Sequence, residues 1–265
     1  MESKSSSSKS PRKLLQKWSV ALKILPLVIL IGVLKYVSHS FGLEIMELNA
    51  LFTSLVAGTI FLIGFLISGV LSDYKESEKI PSELTASLRT LLDDTLTIMK
   101  AKNSDAARRF ILFQKSFTAS LNDWLYKKER TRVMMQKISQ MNDFFVDLER
   151  EGIMANYIIK LKSEQNSIRK ILMRIDTIRD TNFAGSAYAI LEAMGFLTVT
   201  GLLIIHIEPF YASLFLTLLI TFLISYMIFL IRDLDNPFDY SHKGESGTEV
   251  SLKPFHDFEN DLENF

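Results

Sequence analysis

The sequence predicts an all-α membrane protein with four transmembrane helices per subunit and a helical cytoplasmic domain between the second and third. Three observations lead there. Among 265 residues 48% are hydrophobic and 23% charged, and a positive mean hydropathy beside that much charge means a few very apolar segments joined to a strongly charged one. The apolar segments come in two pairs. Only 11 Gly and 6 Pro are present, too few for a turn-rich β architecture. Lys+Arg and Asp+Glu both number 30, and no basic patch carries interleaved aromatics, so nothing points to nucleic acid. The absence of cysteine excludes disulfides and thiolate metal sites.

The first pair of spans occupies residues 20–71. Ser54 to Leu71 has no charge, and extended back to Leu51 it is about 32 Å long as a helix, enough for a hydrocarbon core of about 30 Å. Val20 to Phe41 is fully apolar only from Ile24 to Leu34, between Lys23 and Lys35. These two lysines could snorkel to opposite interfaces, where Trp18 and Tyr36 also suit the depth. A cleaved signal peptide is the rival reading of this segment. No small-residue cleavage site follows it, and a second apolar helix comes soon after, which favours a retained span. The second pair occupies residues 186–232. Ser186 to Ile205 is apolar apart from Glu192, and Phe210 to Ile231 carries no charge.

Charge orients the spans. Residues 1–18 hold Lys4, Lys9, Arg12, Lys13 and Lys17 against Glu2 alone, while the turns at 38–49 and 206–210 have no Lys or Arg. The segment from Tyr74 to Asn182 is rich in both. By the positive-inside rule both termini and the middle domain lie in the cytoplasm, here of a cell whose inner membrane holds the spans. Residues 1–11 are polar and of low complexity, which predicts disorder.

Residues 74–183 read as cytoplasmic helices. Pro81-Ser82-Glu83 suits a first helical turn. Leu84, Leu88, Leu91, Leu92, Leu96 and Met99 follow at helical spacing. Asn103-Ser104-Asp105 starts a second helix, with Phe110, Phe113, Phe117, Leu121 and Trp124 on one face. A third carries Met134, Ile138, Met141, Phe145 and Leu148 and stops at Gly152. A fourth runs from about Met154 to Asp180 with Ile158, Leu161, Ile168, Ile171, Leu172 and Ile175. These are core stripes with solvated backs. Residues 233–265 form an acidic tail. From Asp239 it is irregular, with Gly244 and Gly247 before an acidic end that carries Phe255, Phe258 and Phe265. Two readings stay open for it: disorder, or docking of its aromatics onto the cytoplasmic domain of the same or a neighbouring subunit.

No catalytic motif is present. His39, His206, His242 and His256 are scattered over turns and tail on both sides of the membrane. H-E-x-x-H, a glycine-rich phosphate loop and G-x-S-x-G are missing, and nothing asks for a metal or other cofactor. Asp93-Asp94 and Asp257-Glu259 fit a solvated face better than an acid–base pair. Two membrane features are informative. Ser54, Gly58, Phe61, Phe65, Ser68 and Ser72 share one face of the second span. A small, polar stripe broken by two phenylalanines suits a water-lined pore with a hydrophobic constriction, with Asp73 at its cytoplasmic mouth. The bland alternative is that small residues let helices pack closely. Leu55, Leu62, Ile63 and Leu66, on the other side, suit lipid or neighbouring helices. Glu192 is an intramembrane carboxylate near the cytoplasmic end of the third span, so it should have a partner or water.

These residues also carry a resemblance. Phe61-Leu62-Ile63-Gly64-Phe65 resembles the F-x-x-G-F neck of bestrophin channels, and Asn236-Pro237-Phe238 resembles the N-P-F that follows their last span. Ser72 to Lys79 is similar to the segment after the second span in prokaryotic bestrophin-like proteins, and the order of elements matches too. The resemblance implies a homo-oligomeric, pentameric ion channel in membrane lipid that passes inorganic ions. It would not be an enzyme. Phe61 and Phe65 would form the neck of an axial pore, and Asn236, Pro237 and Phe238 would tie the tail to the channel body. Departures from the pattern accompany it. Ala57 replaces a third bulky neck residue. Asp73 stands where many bestrophins have a basic residue, which is compatible with cation permeation. Only Asp239 follows N-P-F directly, so calcium gating is not supported. A non-conducting scaffold or sensor, whose helical domain binds cytoplasmic partners, is the alternative. An inverted-repeat transporter is disfavoured, because no broken helices recur in the two halves.

Overall fold

The structure, a computed structural model, describes residues 18–180, 185–240 and 249–264. Nine helices are present among them. They are α1 (Ser19–Ser40), α2 (Ala50–Ser77), α3 (Ile80–Lys102), α4 (Asp105–Leu125), α5 (Thr131–Arg150), α6 (Ala155–Asp180), α7 (Gly185–Ile204), α8 (Phe210–Asp235) and α9 (Lys253–Glu263). The expected disorder at the N-terminus, together with His242, Gly244, Gly247 and Phe265, falls outside the described residues. The chain divides into two compact units, residues 1–73 with 183–235, and residues 74–182 with 236–265.

The membrane unit contains α1, most of α2, α7 and α8. Four helices are long and apolar enough to cross a membrane, and these are the apolar stretches of those four. Glycines on α7 let its neighbours approach. A Cβ at Gly195 would stand 3.2 Å from Ile224 on α8, and one at Gly201 would stand 2.2 Å from the ring of Phe52 on α2. Between them the hydroxyls of Thr59 and Thr198 meet at 2.9 Å, both fully buried, so neither is left bare in an apolar interior. Departing from the purely helical expectation, β1 (Met46–Glu47) and β2 (Ile205–His206) form a short parallel bridge, Met46 opposite Ile205 and Glu47 opposite His206. It joins the α1–α2 turn to the α7–α8 turn.

The second unit is α3 to α6 with the tail. Its helices begin and end on the residues expected. Pro81 lies in the first turn of α3, and Asn103 closes that helix in the left-handed region with φ 48°. The Ser104 side chain accepts from Ala107 N at 3.0 Å as the cap of α4. Gly152, with φ +75°, ends α5. Most of the predicted stripe forms the core: Leu84, Leu88, Leu91, Leu92, Phe110, Phe117, Leu121, Trp124, Met134, Ile138, Met141, Phe145, Leu148, Leu161, Ile168, Leu172 and Ile175 are buried, while Leu96, Met99, Phe113, Ile158 and Ile171 are half-buried against it. The tail does not trail away. Phe255, Phe258 and Leu262 of α9 are buried in the same core, and Arg89 on α3 pairs with Asp261 at 2.5 Å while its guanidinium lies 5.3 Å above the Phe258 ring. Of the two readings of the tail, docking is the one seen, on the helices of its own chain. Its beginning also belongs here: α8 runs to Asp235, and the helical unit resumes at Asn236.

Candidate pore helix and its flanking sites

The two sides of α2 differ in what they touch. Ile63, Leu66 and Val70 are buried against Leu191, Ile224 and Ile231, with Leu62 packed beside them. Phe52 is buried with Leu202 and Ile205, and Leu55 packs there. This side, expected to meet lipid or other helices, meets the helices of its own subunit. The opposite side is left largely uncovered by the described residues. Ser54, Ala57, Phe61, Phe65, Ser68, Ser72 and Asp73 are exposed and Gly58 is half-buried. Phe61 is 77% and Phe65 69% exposed, so their rings meet lipid, a neighbouring copy or a lumen rather than their own chain. Among the described residues nothing lies within 4 Å of where a Cβ would stand at Gly64, and Gly58 would meet only Met194, at 4.0 Å. Among the described residues the tight glycine contact that α2 makes is therefore with Gly201 of α7, not through the small residues of the stripe.

Glu192 has its partner. Arg232, in the last turn of α8, pairs with it, and both side chains are about half exposed, so the carboxylate is not isolated in an apolar interior.

The Asn236-Pro237-Phe238 segment is held by contacts that sequence reading did not find. Phe238 is fully buried, and Pro237 O accepts from Val250 N at 3.0 Å. Arg179, at the end of α6, donates to Phe238 O at 3.3 Å, to Trp124 O at 3.3 Å and to Leu125 O at 2.6 Å. Its guanidinium lies 4.7 Å above the Trp124 ring. One planar, five-donor group thus ties the end of α4 to the start of the tail. An arginine at the end of a charged helix gives no sequence signal of that role.

A second cluster was also missed. Lys35 does not snorkel: its side chain is fully buried, donates to Ile205 O at 2.6 Å and lies 2.7 Å from Glu44 Oε1. The turn folds a carboxylate and a carbonyl over the ammonium, so it needs no path to water. His39 and His206, read as scattered, converge on the same carboxylate, with Nδ1 atoms 2.9 and 3.1 Å from Glu44 Oε2. Burial alone would push the Glu44 carboxyl up. Hydrogen bonds from His39, Lys35 and His206 outweigh it and hold the group at about 2. His256 is apart from these, stacked on Tyr126 in the helical unit. Among the described residues no group of three or more His, Asp or Glu is arranged to hold a metal ion.

Known proteins can now be set beside this geometry. A family model described as a Bestrophin-like domain matches residues 160–242, which include most of α6, all of α7 and α8, and the Asn236-Pro237-Phe238 segment. A crystal structure of a mutated bacterial bestrophin homologue from Klebsiella pneumoniae superposes with a TM-score of 0.76 at 17% identity, covering 92% of this chain and 98% of that one. The homologue from the same organism solved by Zn-SAD phasing gives a TM-score of 0.75 at 18% identity, covering 92% and 97%. The chain has the bestrophin fold. A further crystal structure, titled only as a membrane protein, matches this bestrophin-like chain with a TM-score of 0.75 at 18% identity over 93% of it and 98% of the other. No curated protein matches it. At these identities the likeness is one of fold, and what the bestrophin-like chain does is argued from its own residues.

Proposed function

We propose that the chain is one subunit of an oligomeric, bestrophin-like ion channel, a pentamer in the inner membrane, with both termini and the helical unit in the cytoplasm. The observation that supports this best is the bare side of α2. An apolar helix that buries one side in its own subunit and leaves a stripe of Ser54, Ala57, Gly58, Phe61, Phe65, Ser68 and Ser72 uncovered is suited to face an axial lumen. Copies of α2 around an axis would line the pore, with rings of Phe61 and Phe65 as a hydrophobic neck. Narrow apolar rings dewet, so they close a pore to ions until it widens. Ala57, one turn from Phe61, makes that neck short. Asp73 would sit at the cytoplasmic mouth, favouring cations over anions. The mechanism is passive permeation, without covalent chemistry. Arg179 and the buried Phe238 support the tail-anchor role of Asn236-Pro237-Phe238. The test is liposome flux. The wild-type protein should pass ions, and Phe61→Ala with Phe65→Ala should pass them faster by removing the apolar rings. Unchanged flux in a correctly assembled double variant refutes the neck. A monomer or dimer without flux refutes the channel and leaves a membrane scaffold or sensor.

A further inference from the structure

The Lys35–His39–Glu44–His206 cluster has no part in permeation through α2, and its hydrogen bonding is uneven. Both imidazoles present Nδ1 to Glu44 Oε2, an oxygen of a carboxylate that stays ionised, so both Nδ1 atoms carry hydrogen. His39 is content with that. Its ring stacks on Phe210 with centroids 4.1 Å apart. His206 also turns Nε2 toward Glu208 Oε1 at 3.5 Å. A neutral imidazole has one N–H, and if that one serves Glu44 the Nε2 lone pair faces a second carboxylate. Only the imidazolium suits both neighbours.

The surroundings favour that charge. His206 is faced by Lys35 and His39 from α1, by Glu44 from the following turn, by Glu47 as its partner across the β1–β2 bridge, and by Glu208 from its own turn. Two carboxylates, Glu44 and Glu208, lie against the ring, and the nearby ammonium of Lys35 already lies against Glu44. His206 is 43% exposed and borders a hollow of about 520 Å³ with His39, Ile207, Glu208, Pro209 and Phe210, so protons reach it from bulk water.

We propose that His206 is a proton-operated clasp between the two turns of the membrane unit. Protonated, it holds Glu44 across the turns by a charge-assisted hydrogen bond and pairs with Glu208 of its own turn, which fixes the ring. Neutral, it keeps only the weaker uncharged hydrogen bond to Glu44 and releases Glu208. The first of these turns leads into α2, which starts three residues after Glu47, so the proton acts on the anchorage of that helix. Hydrogen bonding to Glu44, and then to Glu208, raises the His206 pKa above its ordinary value. The sign follows: the clasp is fully formed below the ordinary histidine value of about 6.5 and is lost as pH rises through the raised one.

The test is an NMR titration of the full-length protein in nanodiscs with labelled histidine, the His206 signal being the one lost in His206→Gln. The chain has four histidines, so assignment is direct. The His206 midpoint should lie above its ordinary value, and Glu208→Gln should move it down. Glu208 is 84% exposed, so this variant leaves the fold in place. In parallel, the thermal midpoint of the wild type should rise as pH is lowered from alkaline to mildly acidic, and less so in Glu208→Gln. A His206 midpoint at or below the ordinary value, or one that Glu208→Gln leaves unmoved, overturns the clasp whether or not the protein conducts.

Discussion

Gly201 is where the packing of α2 can be tested most sharply. Replacing it with alanine puts a Cβ 2.2 Å from Phe52 Cε2, 3.1 Å from Cδ2 and 3.2 Å from Cζ. Carbon atoms in contact sit at about 3.5–4.0 Å, so the closest pair overlaps by more than 1 Å. The ring has little room to retreat, because Phe52 is 6% exposed and wedged among Leu202, Ile205, Leu55 and Val56. Overpacking of this kind costs about 1–3 kcal/mol. At about 2–4 °C per kcal/mol for a chain of this size, Gly201→Ala should lower the melting midpoint by about 2–12 °C. The assay is size-exclusion of the detergent-solubilised protein after stepwise heating. Gly195→Ala provides a graded comparison, since its Cβ would meet Ile224 and Ile228 at the milder distances of 3.2 and 3.3 Å and should cost less. Phe52→Leu shortens the obstructing side chain, so the double variant should recover part of the loss, with a coupling of about 0.5–3 kcal/mol. A wild-type midpoint in Gly201→Ala, or strict additivity with Phe52→Leu, refutes the wedge between α7 and the first turns of α2.

Two further variants test the sites that hold the turns and the tail. Arg179→Lys should expose the segment after Asp235 to limited proteolysis, because an ammonium cannot serve three carbonyls as a planar fork does and hydrogen bonds to a charged group are worth about 1.5–3 kcal/mol each; unchanged cleavage rules the anchor out. Lys35→Met should lower the melting midpoint strongly, since removing one partner of a buried ion pair costs about 3–5 kcal/mol, and adding Glu44→Gln should restore part of it. With the Glu44 carboxyl depressed from 4.5 to about 2, the wild-type pairing is complete above the higher value and is lost as pH falls toward the lower one. Acid titration of the wild type should therefore loosen the turns in that window, and a flat profile there counts against the pairing.

Periodicity made most of the fold legible. Helical stripes such as Met134, Ile138, Met141, Phe145 and Leu148 need only spacing to be seen, and all five are buried. Caps at Ser104 and Gly152 were readable for the same reason: each is a local requirement of the backbone. What escaped sequence reading are contacts that join distant segments. Lys35 and Ile205 are 170 positions apart, and His206 and Glu44 162 apart. Hydropathy placed Lys35 at an interface because a lone lysine beside an apolar run has to reach water, unless the fold brings it an anion, which here it does. Arg179 has the same history, with acceptors 54 to 59 positions away. Polar groups satisfied by another part of the chain leave no periodic trace.

The stripe on α2 was legible as a pattern but ambiguous in meaning, since small residues along an apolar helix serve close packing as readily as a lumen. Packing and pore readings differ in what they require of the partner helix. If the stripe were a packing face within the subunit, its small residues would lie against α7 or α8, and a Cβ added there would collide. Collisions of that kind occur at Gly195 and Gly201, on α7, while Gly64 meets nothing among the described residues and Gly58 makes only an ordinary contact. The phenylalanines point the same way. Phe52, on the packed side, is buried, whereas Phe61 and Phe65 are mostly exposed. An apolar ring left uncovered by its own chain needs an environment that the single chain does not supply. Lipid would accept the two rings, yet it would gain nothing from Ser54, Ser68 and Ser72 on the same face. In the proposed assembly a lumen lined by further copies of α2 would accommodate both the serines and the rings.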